Sequence, residues 1–427
     1  MQPAMETLTF LVLLIAASAT AAAAAGSKDR CHSGDKAALL AIKAALGNPY
    51  HFASWTPDTS CCDWYDVDCD PTTGRVIGLS VFQDANLTGA IPDAIAGLVH
   101  LQNLMFHHLP GISGPIPPAI AKLSNLSQLT ISNTAVSGPV PSFLAALTKL
   151  TLLDLSFNSL TGSIPASLGA IPNLSGINLS RNRLTGGIPA GFLSKSADQI
   201  YLWLSHNNLT GSIPGEFAGA NFAHLDLSRN ALAGDASGLF GRGKELQYLD
   251  LSRNAFSFDL TGVELPEQLD VLDVSHNAIY GGIPAGVANL TNLQLFNVSY
   301  NRLCGPVPTG GNLGRFDAYS YQHNKCLCGA PLANACNLPP ACAVGVHRHT
   351  SGRRHRGRVR RRGEQIDLFA RGKHVQQMDQ LILLDVSHNA IYGGVPAEVA
   401  IFNVSYNRLC AKVPTGGNMA RFDTYSC

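Results

Sequence analysis

The stretch Leu153-Asp-Leu-Ser-Phe-Asn158-Ser-Leu160-Thr-Gly162-Ser-Ile164-Pro165 decides how this chain of 427 residues folds. Echoes of it run from Val76 to Pro308, and the closing proline returns at Pro92, Pro117, Pro141, Pro165, Pro189, Pro214, Pro284 and Pro308. Between Pro214 and Pro284 two units lack the proline but keep the spacing, around Ser237 and Thr261. A fixed period of about 24 residues with L-x-x-L-x-L-x-x-N chemistry reads as a leucine-rich-repeat solenoid. One unit cannot bury its own leucines, so neighbours must stack, and the stack presents a curved surface suited to holding another molecule. The expected fold class is therefore α/β, a solenoid of ten repeats with a cap at each end.

Within a unit, L-x-L reads as a short strand whose leucines point inward while the residues between them face out. The asparagine that follows recurs as Asn158, Asn182, Asn207, Asn230, Asn254, Asn277 and Asn301. Its amide is expected to satisfy turn backbone groups in adjacent coils. The glycine at 89, 114, 138, 162, 186, 211, 234 and 281, followed by Ile/Val-Pro, sets a turn and opens the convex side.

A hydrophobic share of 46% supports a continuous core. The formal net charge of +1 conceals a segregation: residues 337–380 hold ten Lys/Arg against three Asp/Glu, a local +7, which leaves −6 elsewhere. A mildly acidic solenoid favours a basic partner and offers no general attraction to nucleic acid. Near the N-terminus, the apolar run Leu8–Ile15 followed by alanines to Ala25 reads as a secretory signal peptide, although no Lys or Arg precedes Lys28. No other stretch approaches the roughly 18 apolar residues of a membrane span. The expected product is secreted and monomeric.

Eleven cysteines fall mainly into two clusters, Cys31, Cys61, Cys62, Cys69 before the repeats and Cys304, Cys326, Cys328, Cys336 after them. In an oxidising compartment, even clusters that bracket a solenoid read as disulfide-stapled caps. A zinc site is disfavoured because pairs at C-x₂-C spacing are missing. Cys342, Cys410 and Cys427 are left over.

The parts follow. Residues 1–25 read as the signal peptide, 26–75 as an N-terminal cap, 76–308 as ten repeats and 309–336 as a C-terminal cap. In the first cap, Asp35–Leu46 has helical apolar spacing and stops at Gly47-Asn-Pro49, with Trp55 and Trp64 placed to finish the seal. Residues 337–380 form a basic linker without apolar periodicity, expected to be disordered, with a polyanion-binding tail as the sharper alternative. Residues 381–427 are a degenerate duplicate of the last repeats. Leu384–Gly393 copies Leu272–Gly281 and Phe402–Cys410 copies Phe296–Cys304, but the proline spacing shrinks from 24 to 18. A coil shortened by six residues is not expected to stack in register.

The outward residue of L-x-L is Asp154, Asn178, Trp203, Asp226, Asp250, Asp273 and Asn297 in successive units. Strands stack about 4.8 Å apart, so Asp226, Asp250 and Asp273 form an acidic column whose like charges cost a few tenths of a kcal/mol per neighbour. A surface that tolerates this cost suits a basic partner; the plainer reading bonds each aspartate to a nearby serine. Tyr201, Trp203 and Tyr248, with Gln247 beside them, add the residue types that dominate interfaces. No catalytic set is visible, because the Ser-His neighbours at His206 and His276 arise from the repeat itself. His107 and His108 lack a second ligand pair, and neither metal nor cofactor is expected. Sequons stand at Asn86, Asn125, Asn173, Asn208 and Asn289, all candidates for glycans, and also at Asn178, Asn297 and Asn403. Asn178 and Asn297 lie on concave strands, where a glycan would obstruct binding.

From about Cys31 to Leu332 the chain resembles the plant polygalacturonase-inhibiting proteins. The resemblance is carried by Asp35-Lys-x-Ala-Leu-Leu, the Cys61-Cys62 pair, the L-x-G-x-I-P repeats, Gly234-Asp-Ala-Ser237, Val298-Ser-Tyr-Asn-Arg-Leu-Cys-Gly305 and Tyr319-Ser-Tyr-x-His-Asn-x-Cys-Leu-Cys-Gly-Ala-Pro-Leu332. It implies a secreted, cell-wall-associated inhibitor of fungal or insect polygalacturonase, acting through its concave face. It also implies the pairing Cys31–Cys61, Cys62–Cys69, Cys304–Cys326 and Cys328–Cys336. The segment after Cys336 departs from that family's pattern. Competing readings are a recognition module in signalling or floral development, and a protein that binds pectin, oligogalacturonides or an ice surface.

Overall fold

A computed structural model describes residues 30–193 and 199–336, with two further pairs at 384–385 and 402–403. The signal-peptide reading, the basic linker, most of the duplicate, and Cys342, Cys410 and Cys427 lie outside the described residues. Ten parallel strands, from Val76–Phe82 through Leu152–Asp154 and Tyr248–Asp250 to Leu295–Asn297, line one side of the solenoid. Val67–Cys69 adds an antiparallel strand at the N-terminal edge. Each strand buries the residues its alternation points inward: Leu153, Leu202, Leu225, Leu249 and Leu272 are at most 1% exposed. Full burial of one such side chain is worth about 1.5–3 kcal/mol, and it is available only because a neighbouring coil covers it.

The repeated asparagine ties coil to coil. Asn182 Nδ2 donates to Leu155 O of the preceding coil (2.9 Å) and to Leu179 O and Ser180 O of its own, while its Oδ1 accepts from Leu160 N at 2.9 Å. Asn207, Asn230, Asn254, Asn277 and Asn301 repeat this pattern. These bonds also hold the residue just before each asparagine in a left-handed conformation, as at Arg181 (φ 53°), Arg229 (53°) and Tyr300 (54°). A side chain there costs on the order of 1 kcal/mol or more, so the asparagine clamp is what makes the turn tolerable. The ladder has a further rung at Asn324, inside the C-terminal cap, which donates to Val298 O and Tyr321 O.

After the asparagine the chain departs from the expected simple turn. A second set of short parallel strands, including Ser159–Gly162, Arg183–Gly186, Asn208–Gly211 and Ala231–Gly234, runs beside the first. Each ends at a left-handed glycine such as Gly162 (φ 76°). The proline that follows fixes φ and has no N–H to leave unsatisfied, and a short 3₁₀ helix such as Ala166–Ala170 then forms the convex side.

Both caps close with disulfides. Helix Ser33–Ala45 buries Leu39 and Ile42, ends before Gly47 (φ 81°), and is tethered by Cys31–Cys61, with Cys62–Cys69 alongside. Trp55 and Trp64 are buried and stacked, their ring centroids 5.6 Å apart. Asp35, on the same helix, is fully buried in a bidentate pair with Arg75 (2.7 and 2.9 Å) and also accepts from Val76 N. In the C-terminal cap, Cys304–Cys326 joins two parallel strands and Cys328–Cys336 closes the end.

Two short strands of the duplicate fall among the described residues. Leu384–Asp385 pairs in parallel with Phe402–Asn403, Leu384 facing Phe402 and Asp385 facing Asn403. That register repeats Leu272 facing Phe296 and Asp273 facing Asn297. Register is set where the strands meet, and the residues removed fall in the connection between them.

Candidate partner-binding face

Three columns of side chains run along the concave sheet. The first comprises Leu152, Gly176, Tyr201, His224, Tyr248, Val271 and Leu295 in direct register. Trp203 lies 4.6 Å from the His224 ring, and His224 stacks on Tyr248 at 3.9 Å and 9°. Burial holds the His224 pKa down to about 4, so this imidazole is neutral and acts as an aromatic. Leu295 and Tyr201 are exposed at 43% and 38%. Sequence reasoning missed His224, which only register places between two larger rings.

The second column is Asp154, Asn178, Trp203, Asp226, Asp250, Asp273 and Asn297, again in register. Each acid or amide also accepts a bond from the serine two residues on. Examples are Ser156 N to Asp154 (2.9 Å), Ser228 N and Oγ to Asp226 (3.0 and 2.7 Å) and Ser252 N to Asp250 (2.8 Å). The plainer reading of these residues is thus realised, and they remain half-buried on the same face. Burial, reinforced by the flanking carboxylates of Asp226 and Asp273, pushes the Asp250 pKa up to about 7. Asp226 is also raised by burial, with Ser205, Ser228 and Arg181 opposing the rise.

The third column holds the left-handed turn residues Phe157, Arg181, His206, Arg229, Arg253, His276 and Tyr300. Arg181 lies over the Phe157 ring at 4.9 Å, and His276 stacks on Tyr300 at 4.1 Å. Arg229 and Arg253 are exposed, and their mutual repulsion adds to burial in pulling the Arg229 pKa below its usual value. A guanidinium stays charged nonetheless. The acidic column thus stands beside a row of basic side chains that sequence reasoning did not single out. With the Asp250 carboxyl pushed up by burial and a row of arginines parallel to the acids, the face carries groups of both signs, and composition alone could not reveal that the arginines sit one turn from the acids.

The remaining expectations fall on either side of this face. Gln247 precedes the strand Tyr248–Asp250 and is exposed at its start. His107 bonds Ser132 at 2.9 Å and His108 bonds Asn133 at 2.6 Å, so both are spent on packing. His276 Nδ1 lies 3.3 Å from Ser275 Oγ, and Ser275 is only 3% exposed. Among the described residues the cysteines 31, 61 and 62 form a cluster with metal-ligand spacing, and all three sulfurs are in disulfides. Asn178 and Asn297 bond Ser180 and Ser299 on the concave face, and Asn125 bonds Val99 O and Lys149. Asn86, Asn173, Asn208 and Asn289 are exposed. No helix among the described residues is long and apolar enough to cross a membrane.

A capped parallel solenoid with a patterned concave sheet defines a leucine-rich-repeat protein. Known families agree: "Leucine rich repeat N-terminal domain" matches residues 32–70, and "Leucine Rich Repeat" matches 149–171, 173–194 and 200–220. Polygalacturonase inhibitor 1 of Arabidopsis thaliana is 55% identical over 308 residues, covering 72% of this chain and 93% of that protein. The leucine-rich repeat protein FLOR 1 of Arabidopsis thaliana is 52% identical over 303 residues, covering 71% of this chain and 92% of its own. A solved plant ice-binding protein superposes with TM-score 0.70 at 50% identity, covering 73% of this chain and all of its own. This chain belongs to the polygalacturonase-inhibitor family of leucine-rich-repeat proteins.

Proposed function

We propose that the chain is an extracellular, cell-wall inhibitor of a fungal or insect polygalacturonase, acting by covering the enzyme's substrate cleft with its concave face. The observation that carries this reading is the in-register face from Tyr201 to Leu295, with aromatics, acids and arginines side by side. Such a face supplies what a protein interface needs: rigid aromatic area at its centre and charges of both signs to fix register. Inhibition requires no chemistry from the chain itself. Family membership supports the same reading, since relatives bear the name polygalacturonase inhibitor. Titrating the purified chain against a panel of fungal and insect polygalacturonases should give saturable inhibition of at least one. Inhibition that survives Trp203→Ala together with Tyr248→Ala, with the fold intact, would move the interface off this face.

A second reading is favoured by the third column. Arg181, Arg229 and Arg253 recur one per coil apart from a gap at His206, and a polyuronate presents carboxylates at regular spacing. Pectin or oligogalacturonides would therefore bind there with strong salt dependence, because exposed charges are screened. The ice reading has less physical support on this face. Ice demands a flat lattice of like residues, whereas these columns alternate rings, acids and arginines.

A further inference from the structure

At the junction of the N-terminal cap and the first coil, one imidazole is held between two carboxylates. His51 Nε2 lies 2.7 Å from Asp66 Oδ2 and His51 Nδ1 lies 3.2 Å from Asp84 Oδ2. The three side chains are 10%, 1% and 19% exposed, so solvent is largely kept from the Asp66 contact and reaches Asp84 more readily. They come from three separate pieces of chain: the turn Tyr50–Phe52, the residue before strand Val67–Cys69, and the turn after strand Val76–Phe82. Asp66 Oδ1 is buried without a hydrogen-bond partner, so His51 is the side-chain partner of that carboxylate. Asp84 in turn accepts from Asn86 N at 2.8 Å and so organises its own turn.

The proton count follows from the geometry. An ionised carboxylate only accepts hydrogen bonds, and a neutral imidazole has only one N–H to give. Both contacts can therefore be satisfied only if the site holds one extra proton. Without it, a nitrogen lone pair faces a carboxylate oxygen, and the more exposed partner, Asp84, is the one able to leave.

We propose that His51 is a proton-operated clasp, which when protonated locks the cap to the first coil through Asp66 and Asp84 and when deprotonated releases the Asp84 turn. The titratable groups facing it are Asp66 and Tyr65 from one side and Asp84 from the other, with the Phe52 ring edge-on at 5.1 Å and Tyr65 at 6.1 Å. The hydrogen bond to Asp66 raises the His51 pKa, burial opposes this, and the charges of Asp66 and Asp84 add to the rise. Burial also raises Asp66, which His51 pulls back down. Both shifts favour keeping a proton in the site. For His51 the sign is that of a raised base: the stabilisation is complete below the ordinary value of about 6.5 and is lost as pH rises through the higher folded-state value. The clasp would thus be closed in an acidic medium and loosened once the pH passes the raised folded-state value. Tyr65, 55% exposed and 6.1 Å from the Phe82 ring, sits over it at the N-terminal end of the concave sheet.

The test uses the full chain and compares melting temperature between about pH 5 and about pH 8.5 for wild type, His51→Gln and Asp84→Asn. The amide of Asp84→Asn can donate to a neutral imidazole nitrogen, so that variant closes the clasp without a proton. Relative to it, wild type should lose about 2–4 °C on going to the alkaline end. His51→Gln should be the less stable protein at acid pH and lack that part of the dependence. The imidazole resonance that His51→Gln removes should titrate above about 6.5. If His51→Gln does not fold, the wild-type resonance shifted by Asp84→Asn identifies His51 instead. A His51 that titrates at or below the ordinary value, or an Asp84→Asn curve parallel to wild type, overturns the clasp.

Discussion

Asp250 shows how much of a residue's character is set by its neighbours. Its carboxylate is pushed up to about 7 by burial and by Asp226 and Asp273 on either side, so holding it ionised costs free energy. Its raised value means that stability is highest below the unfolded carboxylate range and falls as pH rises toward and through about 7. Asp250→Asn keeps an oxygen for Ser252 N and removes the charge. It should match wild type near pH 4 and be more stable by about 1 kcal/mol or more at alkaline pH. Each tenfold change in proton affinity corresponds to about 1.4 kcal/mol, and the mutual repulsion of the three acids offsets part of the gain. A chemical denaturation series at both pH values checks this, and equal stability at the alkaline end would contradict the burial argument. Binding gives a complementary expectation. Asp226→Lys with Asp250→Lys should weaken an enzyme partner by more than about 1.4 kcal/mol, tenfold in affinity. Asp250→Asn should weaken it less, and least at acid pH, where the proton is already on. The L-x-L spacing made the column of acids legible in the sequence. Their proton load was not, because it depends on how deeply the fold buries each carboxyl and how close it brings the neighbouring acids.

Among the elements, the first cap and the asparagine ladder bear the most strain when altered. Cys31–Cys61 closes a separation of 30 residues, and such a disulfide typically contributes 2–4 kcal/mol. The helix has a second anchor, however, in the buried Asp35–Arg75 pair. Arg75→Met would leave the Asp35 charge buried without its guanidinium, with Val76 N as its remaining short hydrogen bond, a loss of about 3–5 kcal/mol, and should therefore cost at least as much as Cys31→Ser. If thermal melts rank Arg75→Met as the milder change by a wide margin, Asp35 is not carrying a buried charge. Asn254→Ala removes an amide that serves Leu227 O, Leu251 O, Ser252 O and Leu232 N together. Leaving even two of these unsatisfied costs on the order of 2–6 kcal/mol, more than an ordinary surface substitution. The amphipathic spacing of the cap helix and the period of the asparagines were both legible. The Asp35 pair was not, because an acid at the start of a helix reads as an exposed first-turn charge. The rung at Asn324 was also missed, since no L-x-L precedes it.

For the whole molecule, stability is a chain of nearest-neighbour interfaces, and its ends decide how it fails. A terminal coil has one neighbour where an internal coil has two, so opening should propagate inward from a cap. The N-terminal cap is fastened by two disulfides, the Asp35–Arg75 pair and the His51 contacts; the C-terminal one by two disulfides and the Asn324 rung. The repeat period made this architecture legible from the start, but not the second sheet, whose strands are as short as two to five residues and resemble turns in sequence. Because residues 30–336 close their own ladder and caps, a chain ending at Cys336 should keep its melting temperature and its inhibition. A marked loss of either would make the segment after it part of the working fold. Breaking one fastening should then redirect proteolysis. In Cys31→Ser the first cuts should fall between residues 30 and 100, before any cut in the central coils. First cleavage in the middle of the repeats, with the N-terminal cap still protected, would mean that the solenoid opens from within and that its caps do not govern its stability.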